Sequence, residues 1–125
     1  MLSDYARDAV IDHVLGTTSF TMPTTVWVRL HVGDPSSDGS TNGASNGTRK
    51  QATMGSAVAG TASNSGNISW SASETADERL TAVSIWDAET GGNCLIYGGL
   101  ASPVVTAAGS AFSFPATNLS VSTTS

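Results

Sequence analysis

Two histidines and one cysteine supply all the imidazole and thiol chemistry in this sequence. His31 is the better placed of the two histidines. With Asp34 close by, it could act as a general base oriented by a carboxylate, or ligate a metal together with Asp34 and Asp38. A lone histidine on the polar face of a strand is, however, ordinarily a hydrogen-bonded surface or interface group. Asp34 and Asp38 resemble part of an oxygen-ligand site, but the twelve-residue calcium loop with its closing Glu is absent. His13 falls near the end of a predicted helix, where the dipole favours it without any further role. Cys94 has no partner for an internal disulfide and reads as a small buried hydrophobe. There is no Gly-x-Ser-x-Gly elbow, Walker loop, His-Glu-x-x-His or cysteine pair. The expectation is therefore no catalytic residue, no cofactor and no metal, and a small hydrolase is set aside for want of a site.

The elements that would hold these residues are mostly strands. Val26 to Val32 alternates cleanly, with Val26, Val28, Leu30 and Val32 on one face and Trp27, Arg29 and His31 on the other, so one face enters the core and the other carries groups that want water or a partner. Leu80 to Leu100 reads as a β-hairpin. Val83 and Ile85 share one face, Leu80, Ala82 and Trp86 the other, and Asp87 to Asn93 carries the Gly pair and Asx residues of a turn. Weaker strands are predicted at Lys50–Met54, Asn67–Ala72, Val104–Val105, Ala111–Phe114 and Asn118–Ser122. Ala57–Gly66 is either a closely approached strand or a loop. Ahead of them a helix is predicted over about 3–15, capped by Ser3 and stopped by Gly16, with Ala6, Val10 and Val14 forming a stripe, beside Ala9 and His13, that should lie on the sheet.

Gly33 to Gly47 contains nothing apolar larger than Ala44 or Pro35. A polar segment of that length has little to bury in its own domain, so it reads as a docking arm whose ordering is offset by a partner. The expected assembly surface is accordingly Asp34, Pro35, Asp38, Asn42 and Asn46 of the loop with Trp27, Arg29 and His31 of the adjoining strand.

These pieces predict a mainly β fold, an antiparallel β-sandwich or flattened barrel with one N-terminal α-helix laid across an opening. The chain is expected to be one structural domain, 1–125, with its β body at about 24–122. Val28, Leu30, Val83 or Ile85, and Phe112 or Phe114 should meet in one apolar cluster.

Composition narrows the function. Only 12% of residues are charged, while Ser and Thr number 19 and 16, a surface of short side chains that lose little entropy when held against a neighbour. The net charge of −5 comes with a single lysine and four dispersed arginines, which excludes nucleic acid as a partner. No segment approaches the apolar length of a membrane span, and Met1-Leu-Ser-Asp4 lacks the character of a signal peptide, so neither membrane nor secretion is expected.

One block is also similar to something known. Trp86-Asp-Ala-Glu-Thr-Gly-Gly-Asn-Cys-Leu-Ile-Tyr-Gly-Gly-Leu100, with Leu30-His-Val-Gly-Asp-Pro35 upstream and Gly109-Ser-Ala-Phe-Ser-Phe114, Leu119 and Val121 downstream, resembles a family of small tailed-bacteriophage virion proteins labelled tail-fibre-like. The resemblance implies a non-enzymatic structural protein made in the host cytoplasm and exposed on the virion. Its implied partners are the major capsid protein or tail proteins, together with copies of itself as a homo-oligomer. A capsid decoration (cement) protein docking on the major capsid protein is favoured, because the chain lacks the heptads and long repeats of an elongated fibre. A tail or tail-fibre module is the alternative. A carbohydrate-binding module, with Trp27, Trp70 or Trp86 as stacking platforms, is the further one.

Overall fold

The computed structural model describes residues 1–122; the last residues of the expected 1–125 domain lie outside them. One helix, α1 (Asp4–Val14), precedes eight strands: β1 (Val26–His31), β2 (Lys50–Ala52), β3 (Thr61–Ser63), β4 (Ile68–Trp70), β5 (Glu78–Trp86), β6 (Cys94–Thr106), β7 (Phe112–Phe114) and β8 (Ser120–Ser122). All pairings between the strands are antiparallel. A four-stranded sheet runs β2-β1-β5-β6, and two smaller sheets pair β3 with β8 and β4 with β7. The architecture is mainly β and sandwich-like, without a closed barrel.

One face of the large sheet forms the core in the way the alternation requires. Val28, Leu30, Val83 and Ile85 join Ile68, Trp70, Phe114 and Leu119 in a single cluster, with Phe112 packed against it. Register explains the pairing of types: Val28 stands opposite Ile85 and Leu30 opposite Val83, so the four share one face. The β4–β7 pair brings Ile68 against Phe114 and Trp70 against Phe112. The two phenylalanine rings meet edge to face at 5.0 Å, and Trp70 stacks on Phe112 at 5.9 Å.

Leu80 departs from its expected face. By strict alternation it would lie with Ala82 and Trp86, yet it belongs to the Val83–Ile85 cluster. The ladder with β6 slips between Leu80 and Ala82, which pair with Val104 and Gly99. The extra residues bulge from β6, turning the strand so that Leu80 points inward. Pro103 sits in that bulge, where no ladder donor is needed. The same bulge makes Val104–Val105 a continuation of β6 rather than a separate strand.

The helix differs more. Its cap is as expected: Ser3 is buried and its hydroxyl oxygen accepts from the Ala6 N–H at 3.1 Å. Yet only Ala6 of the stripe is buried, while Val14 and Leu15 are each 73% exposed. The physical reason is how the helix is attached. Met1–Ser3 add to the free edge of β6: the Tyr97 N–H donates to the Met1 carbonyl at 2.9 Å and the Ser3 N–H to the Leu95 carbonyl at 2.9 Å. The helix is held by its first turn beside the sheet edge, and its far end stands clear of the sheet.

Phe114 is buried at the centre of the aromatic group, whereas Phe112 is only half-buried. Phe114→Ala should therefore lower the unfolding free energy by about 3–5 kcal/mol in denaturant titration, and Phe112→Ala by less. Equal losses would place the two rings wrongly.

Candidate functional site

The second face of the large sheet is the one that the alternation assigns to water. Trp27 stands opposite Trp86, Arg29 opposite Ser84 and His31 opposite Ala82, so these six side chains share it. The face is not open. The Gly33–Gly47 loop folds back along the edge of β1: the Val32 N–H donates to the Asn42 carbonyl at 2.8 Å and the Ala44 N–H to the Leu30 carbonyl at 3.0 Å. Ala44 enters the main core. The far end of the loop is tied to β5, where the Ser45 N–H donates to Glu78 Oε1 at 3.1 Å. Its tip meets the helix start, with the Asp4 N–H donating to the Ser37 carbonyl at 3.1 Å. The expected arm thus has its ordering offset largely within its own chain, by backbone pairing that a composition reading does not show.

Under the loop lies a chain of hydrogen bonds. Trp86 Nε1–H donates to Ser84 Oγ at 2.7 Å, and Ser84 Oγ lies 2.7 Å from His31 Nε2. His31 Nδ1 lies 2.9 Å from the Thr41 carbonyl. A carbonyl only accepts, so Nδ1 carries the proton and Nε2 accepts from the Ser84 hydroxyl. Every member is satisfied with a neutral imidazole. Burial lowers the His31 pKa below its ordinary 6.5, the nearby Arg29 charge adds to this, and the bond to Thr41 opposes it.

A serine hydroxyl on a histidine nitrogen has the form of an activated nucleophile. Here His31 and Ser84 are both fully buried, and the orienting position on Nδ1 is taken by the Thr41 carbonyl rather than by Asp34. The pair pins the loop to the sheet. His31 is not the surface group that its place in the sequence implied.

The other expected site residues separate into three groups. Pro35 is buried with His31; Asp34, Asp38 and Asn42 are exposed, and Trp27, Arg29 and Asn46 half-buried. Asp34 Oδ1 accepts from the Ser36 N–H at 2.9 Å, and Asp38 Oδ1 from the Ser40 hydroxyl at 2.7 Å, which holds the Asp38 carboxyl below the usual range. Each carboxylate closes a local turn. Among the described residues no three His, Cys, Asp or Glu side chains gather as a metal-ligand set.

Three residues that sequence reasoning passed over, Ser84, Arg49 and Gly39, complete the face together with Trp86, which it had read only as a strand residue and a stacking platform. Ser84 is the hydrogen-bond partner of His31, and Trp86 is in turn the partner of Ser84. Arg49 lies 3.8 Å above the Trp86 ring and donates to the Ala88 and Gly91 carbonyls of the hairpin turn at 2.8 and 2.7 Å. Gly39, within the loop, lies against Trp86 and Cys94 with φ +71°, where an added Cβ would come within 2.8 Å of Cys94 Sγ and 2.9 Å of Trp86. Cys94 itself is buried, which pushes its thiol up to about 11. The parity of Ser84 and Trp86 in their strand was a usable signal, but only once β5 is known to lie beside β1.

Trp70 and Trp86 are buried and cannot serve as stacking platforms for a sugar; Trp27 alone is partly open. No helix among the described residues is long and apolar enough to cross a membrane.

Two measurements test this site. Gly39→Ala should destabilise by about 1–3 kcal/mol, since it combines strain at positive φ with overpacking against Trp86. Unchanged unfolding would mean that the loop is not seated on Trp86. For His31, folding favours the neutral form, so the unfolded chain binds the proton more readily. Stability is then complete above about pH 6.5 and declines as the pH falls towards the lower folded pKa. The melting temperature should be level at about pH 7–8 and fall between about pH 6.5 and 5, before carboxylates titrate. His31→Gln should melt lower at pH 7 but with that fall flattened.

The family model described as Podophage GP4 fiber I protein gp80 matches residues 1–122. No curated protein matches the sequence.

Proposed function

The chain belongs to that podophage fiber protein family, and we propose that it serves as a non-enzymatic structural piece of a phage fibre, held on the virion by other virion proteins and by copies of itself. The observation that carries this reading is the family match across the whole described chain. It favours the fibre over the capsid surface, the placement that the absence of heptads and repeats had favoured.

Physical support comes from the helix. Ile11 and Val14 near its end and Leu15 at its C-cap, three and four residues apart on one side, leave large apolar side chains in water, with exposures from 50% to 73%. Contiguous apolar surface of this kind marks an association site more often than an accident. Attachment by the first turn alone leaves this end of the helix free to meet a neighbour. The exposed loop groups Asp34, Asp38 and Asn42, with half-buried Asn46, provide polar positions on the loop for a second contact; His31 and Pro35 contribute by holding that loop in place.

Val14→Glu with Leu15→Glu tests the assignment. Both side chains are exposed, so stability should change by no more than about 0.5 kcal/mol per site. Incorporation into virions, measured as copy number per particle in a complemented deletion phage, should fall sharply. Gold labelling of wild-type particles should decorate fibres. Normal incorporation would remove the helix from the interface, and gold on the capsid shell would overturn the fibre placement.

A further inference from the structure

Arg29 is a cation without a counterpart. Its Nε is the one buried side-chain nitrogen or oxygen lacking a hydrogen-bond partner among the described residues. The ion pairs of those residues use Arg7 and Lys50 instead. The guanidinium projects over Gly43 and Gly47, where an added Cβ would lie 2.2 Å and 3.7 Å from Nη2. The loop therefore passes this group with bare backbone. A side chain at Gly43 would fill the space that the guanidinium occupies.

A second cation stands close by. Arg49, stacked on Trp86, lies near enough that the Arg29 charge lowers its pKa, after burial, and Arg29 also lowers that of His31. Arg49 is committed to two turn carbonyls. Among the described residues Arg29 has no ion pair, and its Nε has no hydrogen-bond acceptor. A partly buried guanidinium next to another cation is unfavourable unless an anion completes it. The fork of N–H donors fits a planar, two-oxygen acceptor.

We propose that Arg29, backed by Arg49 and flanked by Trp27, is a receptor for a carboxylate, whether on a small acid or on an Asp or Glu side chain of another chain. This inference stands independently of the fibre assignment.

The test is a titration of the full chain at pH 7 and constant ionic strength, followed by nitrogen-15 NMR of the arginine Nε–H and tryptophan Nε1–H signals. Acetate should shift the Arg29 and Trp27 signals saturably, and chloride should not. Arg29→Gln should weaken acetate binding on the order of tenfold or more, as expected for loss of charged hydrogen bonds. Arg79→Gln, at an exposed arginine, should leave it unchanged. Should Arg29→Gln fold poorly, Arg29→Lys keeps the charge but loses the fork and should also bind acetate more weakly. Tighter binding of glucuronate than of acetate would assign the carboxylate to a small acid, and tighter binding of hexaglutamate would assign it to a protein partner. A linear, non-saturating response of the Arg29 signal, equal binding by Arg29→Gln, or a preference for phosphate over acetate would overturn the proposal.

Discussion

The hydrogen-bond chain from Trp86 through Ser84 and His31 to the Thr41 carbonyl is the constraint on which the second face of this sheet depends. A strand with Trp27, Arg29 and His31 on one side would normally present that side to water. Covering it strands an imidazole, a hydroxyl and an indole away from solvent, and each would be costly if left unpaired. The chain pairs all three with one another and ends on a loop carbonyl, so covering the face becomes favourable only with the loop in one place. Gly39 reinforces that placement, because the loop can sit on Trp86 and Cys94 only where no side chain intervenes.

The molecule consequently has two interiors of different kinds. The first is the apolar cluster between the large sheet and the β4–β7 pair, held by area and by aromatic contact. The second is thin and polar, and it is held by directional bonds. An apolar interior tolerates changes of shape when volume is kept, whereas a polar one fails when a single partner is removed. The two interiors join at the loop, where Ala44 reaches the first and Thr41 the second.

What remains outside both interiors is informative. The helix spends its N-terminal turn on the sheet edge and leaves its apolar end in water, which is consistent with a chain whose burial is completed by its neighbours. On the fibre reading proposed above, that exposed end would be where a neighbour docks. The unpaired Arg29 beneath the loop is a second incomplete feature, of charge rather than of area.

Much of this was legible in the residues alone. Period-two alternation places Val28, Leu30, Val83 and Ile85 on one face, the Gly pair and Asx residues close the hairpin, and Ser3 caps the helix; all of these act within a few residues, where local geometry decides. The tertiary structure alone decided which segment covers which face. His31 and Ser84 are 53 residues apart, and nothing near either one states that β1 and β5 are neighbours or that the loop returns over them. The bulge that turns Leu80 inward and the sheet edge that captures Met1–Ser3 are long-range pairings of the same kind. A periodic pattern shows that a strand has two faces, but whether the polar one meets water or a second layer depends on contacts that form only when distant segments are brought together.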